Sequence, residues 1–132
     1  MKTRNVDRFR AKDFMKRAEE LKNSMERAYE TGEWNSCVIN AIHCAISAAD
    51  ALCVFKKGMR SAGDSHTDAV AFFLSIDPAD AQIKNAAQHL YSLISIKTAA
   101  EYGDRLLSRN DSDSAMKHAT RLFDFVKSKL PP

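Results

Sequence analysis

Apolar residues recur near the start of the chain at Phe14, Ala18, Leu21, Met25 and Ala28, alternating spacings of four and three that trace one stripe of an amphipathic helix. The pattern predicts a first helix from near Arg10 to Gly32. From Trp34 to Lys57 the chain is rich in Ala, Ile, Val, Leu and Cys on most of its circumference, which predicts a central, buried helix stopped by Gly58 as a left-handed cap. After a loop over 60–64, Ser65-His66-Thr67-Asp68 reads as a capping box opening a short helix to about Ser75. Asp77-Pro78 then offers an N-cap and a first-turn proline for a long helix, striped by Ile83, Ala87, Leu90 and Ile94 and ending near Gly103. Ser108 to Asp111 reads as a linker, with Ser112 or Asp113 capping a last helix that turns Ala115, Ala119, Leu122, Phe123 and Val126 inward. The expected fold is all-α, a four- to five-helix up-and-down bundle forming a single domain over 1–132.

Composition narrows the picture. With 132 residues, 45% of them hydrophobic, the chain builds one core and is too short for two. Four Gly and three Pro leave little turn material for a sandwich or barrel. No run of 18 apolar residues appears and the N-terminus is polar, so a cytoplasmic protein without a membrane partner is expected. Cys37, Cys44 and Cys53 form no C-x-x-C pair and all fall in the apolar second helix, which predicts buried small hydrophobes.

The net charge of +3 is uneven. Residues 1–17 hold seven Lys/Arg against Asp7 and Asp13, a local +5, leaving −2 for the rest. Residues 1–9 are expected to be a flexible basic tail. Such a segment gains affinity for nucleic acid by displacing condensed counterions.

Within the apolar second helix, Ser36, Asn40, His43, Ser47 and Asp50 recur at spacings of four and three and share one face. That row is either the wet side of the helix, a lined cleft or a subunit seam. Asp50 needs a partner if it is buried, because an unpaired carboxylate in low dielectric costs several kcal/mol. His43 and Asp50 stand two turns apart and do not touch directly. His89 and His118 read as surface or internally satisfied side chains. No HExxH, Gly-rich phosphate loop or Ser/His/Asp grouping exists, so neither a metal nor a cofactor is expected.

Three segments carry a family likeness: Ala-Ile-His-Cys-Ala-Ile-Ser-Ala-Ala-Asp-Ala-Leu at 41–52, Gly-Met-Arg-Ser-Ala-Gly-Asp-Ser-His at 58–66, and Ile-Lys-Thr-Ala-Ala-Glu-Tyr at 96–102. Together they resemble the HEPN superfamily, over nearly the whole chain. The resemblance implies a small helical bundle, usually a homodimer. Many members are metal-independent ribonucleases or toxins; others accompany nucleotidyltransferases and bind RNA or nucleotide.

The ribonuclease branch carries an Arg followed, after four to six residues, by His. A base must take the 2′-hydroxyl proton while a cation steadies the attacked phosphate. Arg60 and His66 have five residues between them, but sit in the loop after the second helix, whereas the family's pair lies later in the bundle. The better-placed counterpart is Lys97-Thr98-Ala99-Ala100-Glu101-Tyr102, with Lys for Arg and Tyr for His. Tyr, with an ordinary pKa near 10, is a poor base at neutral pH, and Lys lacks the two-pronged donor of Arg.

The resemblance therefore implies a helical dimer that binds RNA or nucleotide without catalysis of its own, through Asn40, His43, Ser47, Asp50, Lys97, Glu101 and Tyr102, and that partners a nucleotidyltransferase. The alternatives are a metal-independent endoribonuclease using Arg60 and His66, and a structural protein–protein interaction domain.

Overall fold

The structure, a computed structural model, describes residues 1–63 and 65–132; the side chain of His66 lies outside the description. The fold is all-α. Its helices are α1 (Ala11–Glu30), α2 (Trp34–Lys57), α3 (His66–Leu74), α4 (Ala81–Ile94), α5 (Lys97–Tyr102) and α6 (Arg109–Lys129). A two-stranded ribbon of β1 (Thr3–Asn5) and β2 (Met59–Ser61) and a 3-10 turn over Arg8–Arg10 complete it.

Helix α2 is the hub. It packs against α1 on one side and α6 on another, while α4 leans on α6 and α3 on α4. Its Val38, Ile42, Leu52 and Val54 are fully buried, and the first three join a core that includes Met25, Phe73, Leu90, Leu93 and Leu122. Each such side chain contributes about 1.5–3 kcal/mol on leaving water. By length and composition α2 is apolar enough to cross a membrane, and 67% of that stretch is buried inside the bundle. The three cysteines are free and buried as expected, and burial pushes the thiols of Cys44 and Cys53 up to about 12. Both are thereby poor nucleophiles.

The α1–α2 turn needs Gly32, at φ 75°, and Gly58 ends α2 in the left-handed conformation at φ 66°. Ser65 caps α3 as expected, its side chain accepting from the backbone N–H of Asp68 at 3.3 Å.

Three local expectations are corrected. Helix α4 is capped by Asp80, whose Oδ1 accepts from Gln82 N at 2.7 Å and Ile83 N at 3.4 Å. Asp77 instead closes a turn onto Ala79 N, so Pro78 lies ahead of the helix. The helix also does not run on to Gly103. Ser95 Oγ donates to Ser92 O and Ile96 N bonds Leu93 O, a tightened turn that separates α4 from α5. Finally, α6 begins at a reciprocal capping box in which Ser108 Oγ accepts from Asp111 N while Asp111 Oδ2 accepts from Ser108 N at 2.7 Å. Ser112 is instead fully buried and donates to Trp34 O.

Residues 1–9, expected to be a loose tail, are tied down. β1 runs antiparallel to β2 with Thr3 opposite Ser61, Arg4 opposite Arg60 and Asn5 opposite Met59. Val6 N continues the pairing to Gly58 O at 2.9 Å. Arg8 Nη1 donates to Phe55 O at 3.1 Å and Lys56 O at 2.9 Å. These are carbonyls that the end of a helix leaves without partners, and the cation also suits the negative end of the helix dipole.

Candidate functional site

The hydrophilic row on α2 meets different surroundings along its length. Asn40 closes on its own helix, Nδ2 donating to Ser36 O at 2.9 Å and Ser36 Oγ at 3.3 Å. Ser47 is buried, at 6% exposure. The two remaining members, His43 and Asp50, are met by other elements.

His43 faces α5. Its Nε2 is 3.4 Å from Glu101 Oε1, and Lys97 Nζ, one turn earlier on α5, is 3.1 Å from the same oxygen. Neither approach is aligned as a hydrogen bond, so this buried oxygen has an ammonium and an imidazole close by but no directed donor. Lys97 holds the Glu101 carboxyl below the usual glutamate range, against the opposing effect of desolvation. The position of α5 depends on Gly103, where a Cβ would collide with the Ala99 carbonyl.

Asp50 faces the ribbon. Arg60 Nη1 lies 3.7 Å from its Oδ2, a loose pair, and the two side chains are only 30% and 16% exposed. Burial and the nearby cations act in opposite directions on this carboxyl. Burial wins, pushing its pKa up to about 6 despite the pull of Arg60 and Arg17.

Above Asp50 opens a cavity of about 410 Å³. Arg4, Arg60 and Lys97 bring cations to it from β1, β2 and α5, and Ser61 and Ser65 bring hydroxyls. The Ser61 Oγ is buried and has no hydrogen-bond partner. Ile46, Ala69 and Ile94 form an apolar wall. Three cations, an unused hydroxyl and a carboxyl that is partly protonated near neutral pH can together receive an anion, with the apolar wall available to a flat ring. Among the described residues, no group of three or more His, Cys, Asp or Glu side chains could hold a metal ion.

Of the residues singled out in the sequence, Asp50, Arg60 and Lys97 therefore converge on one cavity, with His43 and Glu101 beside Lys97. Asn40 and Ser47 are not among its lining. Tyr102 is 78% exposed and is not among the cavity's lining residues. The His66 side chain lies outside the described residues, so its relation to Arg60 is not part of this geometry. Sequence reasoning missed Arg4, Ser61 and Ser65 as lining residues. Two strands of three residues carry too short an alternation to announce themselves, and only their pairing brings Arg4 to the cavity.

The remaining histidines form a pair of their own. His89 on α4 and His118 on α6 approach with Nδ1 atoms 2.9 Å apart, so one ring donates to the other. Burial lowers the pKa of both, reinforced by nearby Lys117 and Arg121.

A comparison with curated proteins finds no match. The family model described as HEPN domain matches residues 11–129, from the first residue of α1 to the last of α6. A helical bundle matched by that family's model over 11–129 carries one assignment: the chain belongs to the HEPN domain family.

Proposed function

We propose that this chain is a HEPN module that binds a phosphate-bearing ligand, a nucleotide or single-stranded RNA, in the cavity between α2, the ribbon and α5. The observation that carries the reading is the convergence of Arg4, Arg60 and Lys97 on one cavity that also holds the unpartnered Ser61 hydroxyl. In this reading the guanidiniums take phosphate oxygens two-pronged and Lys97 adds a point charge. Ser61 Oγ donates a hydrogen bond, and Asp50, when protonated, donates another. Both Arg60 and Lys97 are engaged by carboxylates in the free protein, so the ligand competes with Asp50 and Glu101 for them.

The module binds without cleaving. Tyr102 is outside the cavity lining, and the carboxylate beside Lys97, Glu101, is held below the usual glutamate range and is a weak base, which supports that side of the reading. Pairing as a homodimer and partnership with a nucleotidyltransferase belong to the same proposal and rest on family membership alone.

The test is titration of the full chain with fluorescent single-stranded RNA and with labelled AMP and ATP across a range of salt. Saturable binding that weakens with salt, and that Arg60→Ala weakens about tenfold, is the expected result. Absence of saturable binding to every probe overturns the proposal. RNA cleavage in EDTA that His66→Ala abolishes would replace it with the endoribonuclease reading.

A further inference from the structure

At the far end of α1 from the α1–α2 turn lies a second concavity that the proposed ligand site does not use. It has a volume of about 710 Å³. Its walls come from the 3-10 turn, the first turns of α1, the last turn of α2 and the residues that end and follow α6. Its interior is apolar: Met15 and Phe55 are half-buried, Leu130 likewise, and Phe9 stands 64% exposed at the edge. Its rim is basic. Lys12, Lys16 and Lys127 surround it, and the single lining carboxylate, Glu19, is already 3.4 Å from Lys16.

An apolar floor inside a rim where cations outnumber carboxylates has a defined complement. The groove-facing positions of the first turns fall at Arg8, Lys12, Met15 and Glu19, three to four residues apart. Along α1 the lining runs from Ala11 to Glu19, about 12 Å at 1.5 Å per residue, a little over two helical turns. The complement is a helical segment of that length with apolar anchors on one face and carboxylates flanking them. Nucleic acid fits less well: both rings a base could stack on already carry a lysine ammonium, Lys12 Nζ at 4.1 Å from the centroid of Phe9 and Lys56 Nζ at 5.6 Å from that of Phe55. A membrane surface fits less well too, because a flat bilayer cannot reach the floor of a groove walled on several sides.

From this complementarity we propose that the groove is the docking site for an acidic amphipathic helix of a partner protein. The partner's apolar side chains seat against Met15, Phe55 and Leu130, and its carboxylates meet Lys12, Lys16 and Lys127. The proposal is independent of the nucleotide or RNA reading, since no residue lines both cavities.

The test pans the full chain against a display library of random peptides of about 15 residues, a length that can form three to four turns. Enriched sequences are expected to space Leu, Phe or Met at helical intervals between Glu and Asp. A synthetic winner should lose at least about tenfold in affinity to Met15→Glu and to the surface pair Lys12→Glu/Lys16→Glu, and be unchanged by Arg60→Ala. Far-UV circular dichroism confirms that the variants fold, and the lysine pair, being solvent-exposed, keeps the test valid if Met15→Glu does not. No enrichment, winners without excess acid, or binding indifferent to the lysine pair overturns the proposal. So does capture of single-stranded RNA or phosphatidylserine vesicles that the lysine pair abolishes while peptides fail to bind.

Discussion

Arg4 and Arg60 stand directly opposite each other in the β1–β2 ribbon, two cationic residues on one face of a sheet only two strands wide. Like charges across a strand pair are destabilising by a few tenths of a kcal/mol or more. Here Asp50 offsets one of them, and both line the same cavity. An arrangement that holds two cations together at a cost is suited to receiving an anion between them.

Removing Arg60 should therefore act twice. Arg60→Ala leaves the Asp50 carboxyl buried without its nearest cation and is expected to lower stability by about 1–3 kcal/mol at pH 7.5. Arg4→Ala removes a cation without orphaning Asp50 and should weaken ligand binding with little change in Tm. Thermal melts beside binding titrations of the two variants check the split.

Glu101 competes for Lys97. Glu101→Gln keeps the shape of the side chain and removes its charge, freeing the ammonium 3.1 Å away. Affinity for a phosphate-bearing probe should rise by about threefold to tenfold, with the gain largest at low salt. A loss of affinity would show instead that Glu101 contributes to the ligand site itself.

The titration of Asp50 sets an unusual pH dependence. Its folded pKa, pushed up to about 6 from 3.8, means that the folded state binds the proton more tightly than the unfolded chain. Its contribution to stability is thus greatest below about pH 4 and falls as pH rises through 6, by up to about 3 kcal/mol. Asp50→Asn should remove that slope between pH 4 and 6 in urea melts. Affinity for a phosphate probe should rise over the same acidic interval in the native protein and become flatter in the variant.

The His89–His118 pair works in the opposite sense. Both folded pKa values are lowered from 6.5, so the pair's stabilising contact is present above that value and is lost as pH falls below it. Two protonated rings 2.9 Å apart would repel, and no acceptor would remain between them. His118→Gln should diminish the loss of stability on acidification below pH 6.5. Combining it with Asp50→Asn separates the two slopes.

Gly103 offers a test of how far the site depends on α5. A methyl group there meets the Ala99 carbonyl, so Gly103→Ala must shift the end of the helix that carries Lys97 and Glu101. A cost of about 1–3 kcal/mol is expected, with weakened ligand binding, measured by melting and titration together.

Features governed by local chemistry were legible in the residues. The bounds of α2, its arrest at Gly58, the Ser65 cap and the Lys97–Glu101 pair all depend on neighbours within about one turn. The start of α4 was not, because Asp77 and Asp80 are both competent caps and only the turn geometry of Pro78 and Ala79 decides between them. The break after Ile94 was hidden as well, since Ser95 looks like any helical serine until its hydroxyl turns back to Ser92 O. In the site, the hydrophilic row of α2 was legible as a face for water, a cleft or a subunit seam, and His43 and Asp50 were two of its five members. What meets them, Glu101 and Arg60, comes from other elements, and the partner of Arg60 across the ribbon comes from 56 residues earlier in the chain.

That distance has a practical edge. A fragment cut to the matched family span, 11–129, would retain all six helices and forfeit β1, with Arg4 and the Arg8 clasp on the α2 terminus. It would melt as a bundle and yet recognise charge differently. The ten residues ahead of the matched span thus bring one of the three cations of the proposed site, and the fragment reads out what that cation adds.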